Sequence, residues 1–393
     1  MPDAVIIDAV RSPMGRGKPG GALSGLHPAE LLAQTISGLL ARHDLDPGLV
    51  DDVITGCVGQ AGEQSGNIGR MAWLAAGLPE HVPAVTVERK CGSRQQAVHF
   101  AAQGVLAGAY DIVVVAGGES MSRVPMGAAR IGMDPYGPSV TERYAPGLIP
   151  QGVAAELVAA RWKISREQLD AYAVRSHRLA GDAADRGKSD GEIVPVTLPD
   201  GTTVRADEPI RRGTTPRTLA GLTPSFTDDA MAARFPEITW SVTAGNSSQI
   251  TDGAGALLIT SERKAAELGL TPRARFAGFA VTGDDPVTML TGPIPATRKL
   301  LERHGLDLDL IDHYEVNEAS ASVPLAWQAE FGTDPARLNP RGGAIALGHP
   351  LGASGARLMT TMLAALEATG GRYGLQTMCE AGGMANATVV ERL

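Results

Sequence analysis

With 393 residues, 44% of them hydrophobic, the chain exceeds one ordinary core and implies two or three units. A net charge of -8 disfavours non-specific nucleic-acid binding, and no apolar run approaches the roughly 20 residues that span a bilayer. Three cysteines, behind an N-terminus with no basic region leading into a long apolar stretch, point to a reducing compartment, the cytoplasm, and not to a disulfide framework.

In chain order, Val5 to Val10 reads as a strand, Pro28 to Leu40 as a helix and Asp52 to Val58 as a second strand. Val85 to Val87 is strand-like. A helix follows over Gln95 to Leu106, with Ala97, Val98, Ala101 and Val105 at helical spacing. Asp111 to Ala116 is a continuous apolar run, as expected of a strand covered on both faces. This alternation argues for an α/β sheet. From about 120 to 244, proline, glycine and arginine break the pattern. Helices over Ala154 to Trp162 and Arg166 to Ala184 stand between long loops, which suggests an insertion that covers a site. Strands resume at Ala254 to Thr260, Ala274 to Ala277, Ile311 to Val316 and Tyr373 to Met378. A small-residue helix over Gly355 to Leu366 precedes the last of these. The expected units are 1–119 with 245–268, the inserted 120–244, and 269–393.

Both outer thirds read as strand, reactive residue at a helix start, helix, strand, glycines. In the first the reactive residue is Cys91. In the last it is His349, with Ala344 to Leu347 leading into it as the matching strand. This weak internal duplication implies two similar sheets packed back to back about a pseudo-twofold axis.

Three residues lie in small, glycine-rich settings. Cys91, in Lys90-Cys91-Gly92-Ser93, would meet free N–H groups and the positive end of a helix dipole, with Arg89 and Lys90 beside it. Those surroundings favour a thiolate, and Gly92 leaves room for a substrate. The alternative is a buried small hydrophobe, the reading that fits Cys57. His349, in Gly348-His349-Pro350, suits a neutral imidazole taking a thiol proton, or a residue that caps a turn. Cys379 precedes Ala381-Gly382-Gly383, whose N–H groups are placed to bind an oxyanion. Its thiol suits a proton carrier poised near neutral pH, with a redox pair to Cys91 as the alternative. No local pairs of metal ligands occur. Asn317-Glu318-Ala319-Ser320 follows a strand and offers a short amide. Arg205, Arg211, Arg212 and Arg217 form a basic cluster suited to a phosphate-rich ligand, or a solvated loop.

Taken together and in this order, these motifs resemble the thiolase family over essentially the whole chain. The resemblance implies a five-layered αβαβα fold, a homodimer or homotetramer, and acyl-CoA with coenzyme A as substrates, without metal or cofactor. It makes Cys91 the acylated nucleophile, His349 its base and Cys379 the acid or base at the departing acetyl-CoA. Asn317, through a water, and His349 would form one oxyanion hole, and the N–H groups of Cys91 and Ala381 the other. Ser248 matches a pantetheine contact. Arg211, Thr218 and Phe226 match positions near the nucleotide of coenzyme A, and Ala319 and Ser320 line the acyl site. The implied reaction is cleavage of 3-oxoacyl-CoA through an acyl-cysteine, or the reverse condensation. A binder of coenzyme A thioesters with impaired catalysis is the alternative. A decarboxylating ketoacyl synthase is disfavoured by Cys379, where a second histidine would be needed.

Three positions depart from the family pattern. Arg94 replaces a small residue, opposes the helix dipole and calls for an acidic partner, Glu88 or Glu380. Ser320 replaces a phenylalanine, which widens the acyl pocket and points to medium, branched or ring-derived substrates. Ala381 replaces a glycine, which narrows its backbone freedom.

Overall fold

A computed structural model describes residues 3–393. The first third runs β1 (Ala4–Arg11), β2 (Gly15–Arg16), α1 (Pro28–Leu40), β3 (Asp52–Gly56), α2 (Ile68–Ala75), β4 (Ala84–Val87), α3 (Ser93–Leu106) and β5 (Ile112–Ser120). Then follow α4 (Gly137–Arg143), α5 (Gln151–Arg161), α6 (Arg166–Asp185), the hairpin β6 (Val196–Thr197) and β7 (Thr203–Val204), α7 (Pro216–Ala220) and α8 (Asp229–Arg234). The chain returns to the sheet as β8 (Thr251–Ser261) and leaves it by α9 (Glu262–Glu267). The last third is β9 (Ala274–Gly283), α10 (Pro293–His304), β10 (Ile311–Val316), α11 (Ser322–Phe331), α12 (Ala344–Leu347), α13 (Ser354–Thr369), β11 (Tyr373–Glu380) and β12 (Met384–Arg392).

Strand order is β4-β3-β5-β8-β1-β9-β12-β11-β10, with β2 added against β8. The order is palindromic in role, with β1, β3, β5 and β8 answered by β9, β10, β11 and β12. The two halves form sheets that continue into one another at a single short seam. They meet through β1 and β9, which pair only at Val5 with Arg275 and Ile6 with Ala274. The last half has no counterpart of β4. Ala344–Leu347, expected as that strand, is the single helical turn α12. Its residues make turn hydrogen bonds to Gly343 and Ala344 in place of a ladder.

Alternation along the strands builds five layers. On β5, Val114 and Ala116 face α1 and α2, while Val113 and Val115 face α3 and α13. The two central helices pack on each other and also receive Ala274 and Val390 from the other half. Leu375, Ala385, Ala387 and Val389 face outward onto α10 and α11. The inserted helices α5 and α6 bury Val153, Val158, Leu169 and Ala173 in that same outer core, so the insertion shares a core with the last third. No helix among the described residues is long and apolar enough to cross a membrane.

Candidate active site

Cys91 lies in the turn between β4 and α3. The helix starts at Ser93 with Gly92 as N-cap, so Cys91 stands just before it. The turn is tight. Lys90 has φ +48, a left-handed conformation that a non-glycine residue holds only when its surroundings impose it. Ser93 Oγ accepts from Arg89 N at 2.8 Å and donates to Lys90 O at 2.6 Å, and Glu88 Oε1 accepts from Lys90 N at 2.7 Å. The thiol packs on Leu351, Leu358 and Met378 and is buried. The Ala381 N–H, from the opposite half of the chain, favours the charged form of the thiol.

The thiolate expected from the helix end and the basic neighbours is not the resting form. Burial first, and the Glu380 charge second, push Cys91 up to about 12, against the pull of its own N–H, the Ala381 N–H and Lys90. Nor does Gly92 leave room for a substrate. A Cβ there would collide with Glu380 Oε1 and lie 2.8 Å from Asn386 Nδ2.

His349 follows α12 at the mouth of the loop into α13. Its N–H reaches Gln249 O at 3.0 Å and Thr251 Oγ1 at 3.1 Å. Nδ1 lies 2.5 Å from Ser354 Oγ, and Nε2 lies 3.4 Å from Asn317 Nδ2. Burial, then the Arg357 charge, hold His349 down to about 3, so the imidazole is neutral and able to accept a proton.

Cys379 is the penultimate residue of β11 and fully buried. Burial, the nearby Cys91 and Glu380 raise it far above an ordinary thiol, so it is not poised near neutrality. It holds its proton firmly and is suited to donate one only to a strongly basic carbanion. The following turn places positive φ on Gly382 (+91) and Gly383 (+74), not on Ala381, so the extra methyl at 381 meets no left-handed strain.

Asn317 continues β10, its N–H bonding Thr377 O at 3.1 Å. Its Oδ1 is buried without a partner among the described residues, open to a water that donates to it. Glu318 is turned away into a closed network. It accepts from Ser176 Oγ (2.7 Å), Ile345 N (3.0 Å), Tyr172 Oη (3.1 Å) and Asn339 Nδ2 (3.1 Å). Through Ile345 it fixes the segment that carries His349. Ser248 N donates to Ala319 O at 3.1 Å, and Ser247 pairs with Ser320, so the pantetheine and acyl-site residues adjoin.

The basic cluster is partly neutralised, because Arg212 pairs with Asp185. Arg211 donates from its main chain to His177 Nδ1 (3.1 Å) and from Nη2 to Gln249 Oε1 (3.1 Å). Gln249 Nε2 in turn donates to Pro209 O (3.1 Å) and Ile345 O (2.8 Å), tying the arginine loop to the His349 segment. Thr218 spends its hydroxyl capping α7 with Thr215. The Phe226 ring lies over Gly152 of α5.

The models of the thiolase N-terminal domain and the thiolase C-terminal domain match residues 4–263 and 270–392. The chain belongs to the thiolase family. It is 48% identical over 401 residues to a steroid 3-ketoacyl-CoA thiolase of Mycobacterium tuberculosis, across 100% of this chain and 95% of that protein. It is 42% identical over 415 residues to a β-ketoadipyl-CoA thiolase of Escherichia coli, across 100% of both. The crystal structure of a Bacillus anthracis acetyl-CoA acetyltransferase superposes with a TM-score of 0.89 at 37% identity, covering 100% of this chain and 99% of that one. The activity is that of a 3-ketoacyl-CoA thiolase, an acyl transfer.

Within this thiolase, Arg94 finds neither expected acidic partner. It is fully buried, and Nε, Nη1 and Nη2 are all without hydrogen-bond partners among the described residues. Sequence reasoning also missed Glu119. Its carboxylate accepts from Val58 N (3.0 Å), Gly59 N (2.8 Å), Gln64 Nε2 (2.8 Å) and Gly352 N (2.9 Å), clamping the His349 loop to the ends of β3 and β5. Glu119, Gln249 and Ser354 carry no local motif. Their roles exist only once distant segments meet.

Proposed function

We propose that this thiolase cleaves 3-oxoacyl-CoA by way of an acyl group on Cys91. The observation that carries the reading is that buried Cys91 packs on Met378 of β11 and Leu358 of α13. That contact joins the two halves at the nucleophile, beside Cys379. Cys91 attacks C3 of the substrate while its proton passes to His349 Nε2. Because thiol and imidazole both rest neutral, the proton moves as the C–S bond forms. Asn317, through water, and His349 stabilise one oxyanion, and the Cys91 and Ala381 N–H groups the other, each worth about 3 kcal/mol on the scale of known oxyanion donors. The C2–C3 bond breaks, and the acetyl-CoA carbanion takes the Cys379 proton at C2. The imidazolium then returns its proton to the Cys379 thiolate. Coenzyme A attacks the acyl-cysteine with its thiol proton going to His349, which passes it to the leaving Cys91.

Arg211, Thr218, Phe226 and Ser248 would line the coenzyme A path under the covering segment 120–244. Ser320 puts a small side chain where the family pattern has a phenylalanine, which supports bulky 3-oxoacyl chains. Edge strand β4, with Val85 exposed, pairs on one side only and offers a seam for a homodimer. The three cysteines are free, as a reducing cytoplasm requires.

The test is incubation with a bulky 3-oxoacyl-CoA and coenzyme A, followed by mass spectrometry of the protein. Acetyl-CoA release with an acyl mass on Cys91, both lost in Cys91→Ala, is expected. Turnover surviving that substitution would overturn the assignment.

A further inference from the structure

Behind the nucleophile lies a buried polar cluster that the reaction above does not use. Glu380 ends β11 and is fully buried, with Oε1 pressed against Gly92. Neither carboxyl oxygen has a hydrogen-bond partner among the described residues, and Arg89 Nε and Asn386 Oδ1 beside this cluster are also without one. Asn386 commits its amide N–H to Gly92 O at 3.1 Å. A carboxylate stripped of water and given no donors is strongly disfavoured, whereas a neutral carboxyl is tolerated.

We propose that Glu380 is a positioning residue for the nucleophile: as a neutral carboxyl it lets Cys91 ionise during attack, and once it loses its proton it suppresses that ionisation. The inference rests on Cys91 being the nucleophile and adds a group that governs it. Glu380 adjoins Cys379 in sequence and Gly92 in space, so its charge falls on both thiols and raises both. The charged groups bearing on it are Arg89, which favours ionisation, and Glu88, which opposes it. Glu88 is itself held by Lys90, Nζ at 3.1 Å. From β12 the facing side chain is Asn386, which does not titrate. Burial outweighs Arg89 and pushes Glu380 up to about 8, so its charge changes within the working range of an enzyme.

The experiment is the rate of Cys91 alkylation by iodoacetamide between about pH 6 and pH 10, with the modified peptide located by mass spectrometry. In the unaltered protein the logarithm of the rate should rise with a slope below one across the window around pH 8. Glu380→Gln should restore unit slope. The two proteins should converge near pH 6, and the variant should react about 5 to 10 times faster near pH 9.5, the effect of most of one unit of thiol acidity. A constant offset at every pH would mean that the charge does not titrate. A uniform slowing with unchanged slope would mean a packing role alone. Either result overturns the proposal. Should the variant fail to fold, Arg89→Met must move the bend in the profile to higher pH, and an unmoved bend is equally fatal. Alkylation requires no turnover. A bent profile in a protein that forms no acyl-cysteine would therefore sink the catalytic assignment and spare this one.

Discussion

Ser354 Oγ stands 2.5 Å from His349 Nδ1 and gives its own proton to Pro350 O, 2.8 Å away. A hydroxyl has one hydrogen, so the short contact must be filled by Nδ1–H. That fixes the tautomer and leaves the Nε2 lone pair facing Asn317 and the reacting centre. Ser354→Ala frees the ring to adopt the other tautomer. The expected result is a fall in kcat of about 10 to 100-fold with little change in KM, on the scale of lost supporting hydrogen bonds at functional histidines. Steady-state kinetics at saturating coenzyme A checks it. An unchanged kcat would remove Ser354 from the mechanism.

Gly348 sets the approach of the imidazole. It has φ +93, and a Cβ there would collide with Thr251 Oγ1, the group that accepts the His349 N–H. Gly348→Ala therefore meets both backbone strain and a clash. It should destabilise the fold by about 1–3 kcal/mol and lower kcat by more than the stability loss explains. Urea denaturation beside kinetics on the folded fraction separates the two effects. Wild-type kcat in a destabilised variant would show that the loop recovers its position.

The parts legible in the sequence are those set by local periodicity. The helix at Pro28–Leu40 and the strand at Ile311–Val316 have the bounds expected of them, because amphipathic spacing and flanking turns define both. The segment before His349 misled. Ala344 to Leu347 is apolar enough for a strand, but it closes into a helical turn held by its own turn bonds and by Ile345 N donating to Glu318 Oε2 at 3.0 Å. The reactive residues were visible because glycines crowd each of them. Their acidities were not. A helix end and two basic residues are readable, whereas the burial that outweighs them is a property of the finished fold. The sequence offers Glu88 or Glu380 as the partner of Arg94. The structure turns Glu380 toward Gly92 instead and leaves Arg94 alone among the described residues.

Arg94 gives a prediction about stability alone. A guanidinium buried with three nitrogens that have no partner among the described residues carries a desolvation penalty that no ion pair there offsets. Its aliphatic stem, by contrast, packs against β5, where Cδ is 2.9 Å from the place a Gly117 Cβ would take. Arg94→Met keeps the stem and removes the charge. Unfolding free energy should rise by about 1–4 kcal/mol, the range found when buried ionic groups give way to apolar ones. Thermal and urea unfolding measure it. A loss of stability would mean that the guanidinium has a compensating partner.

His99 carries the pH prediction. It lies within the central layer, Nε2 2.7 Å from Thr388 Oγ1 and its ring edge-on to Phe279. Burial, then the Arg89 charge, hold it down to about 3 against an ordinary 6.5. A depressed histidine is neutral when folded but takes up a proton when unfolded at mildly acid pH. The stability from keeping it neutral is complete above about pH 6.5 and is lost as pH falls toward the folded value. Across that interval one such group contributes a slope of about 1.4 kcal/mol per pH unit. His99→Gln keeps a hydrogen-bonding group for Thr388 but cannot titrate, so unfolding free energy should fall less steeply between about pH 6 and pH 4, by roughly that slope. Urea denaturation at three pH values in this range gives the comparison. Parallel curves for the two proteins would show that His99 is not the group whose protonation opens the central layer.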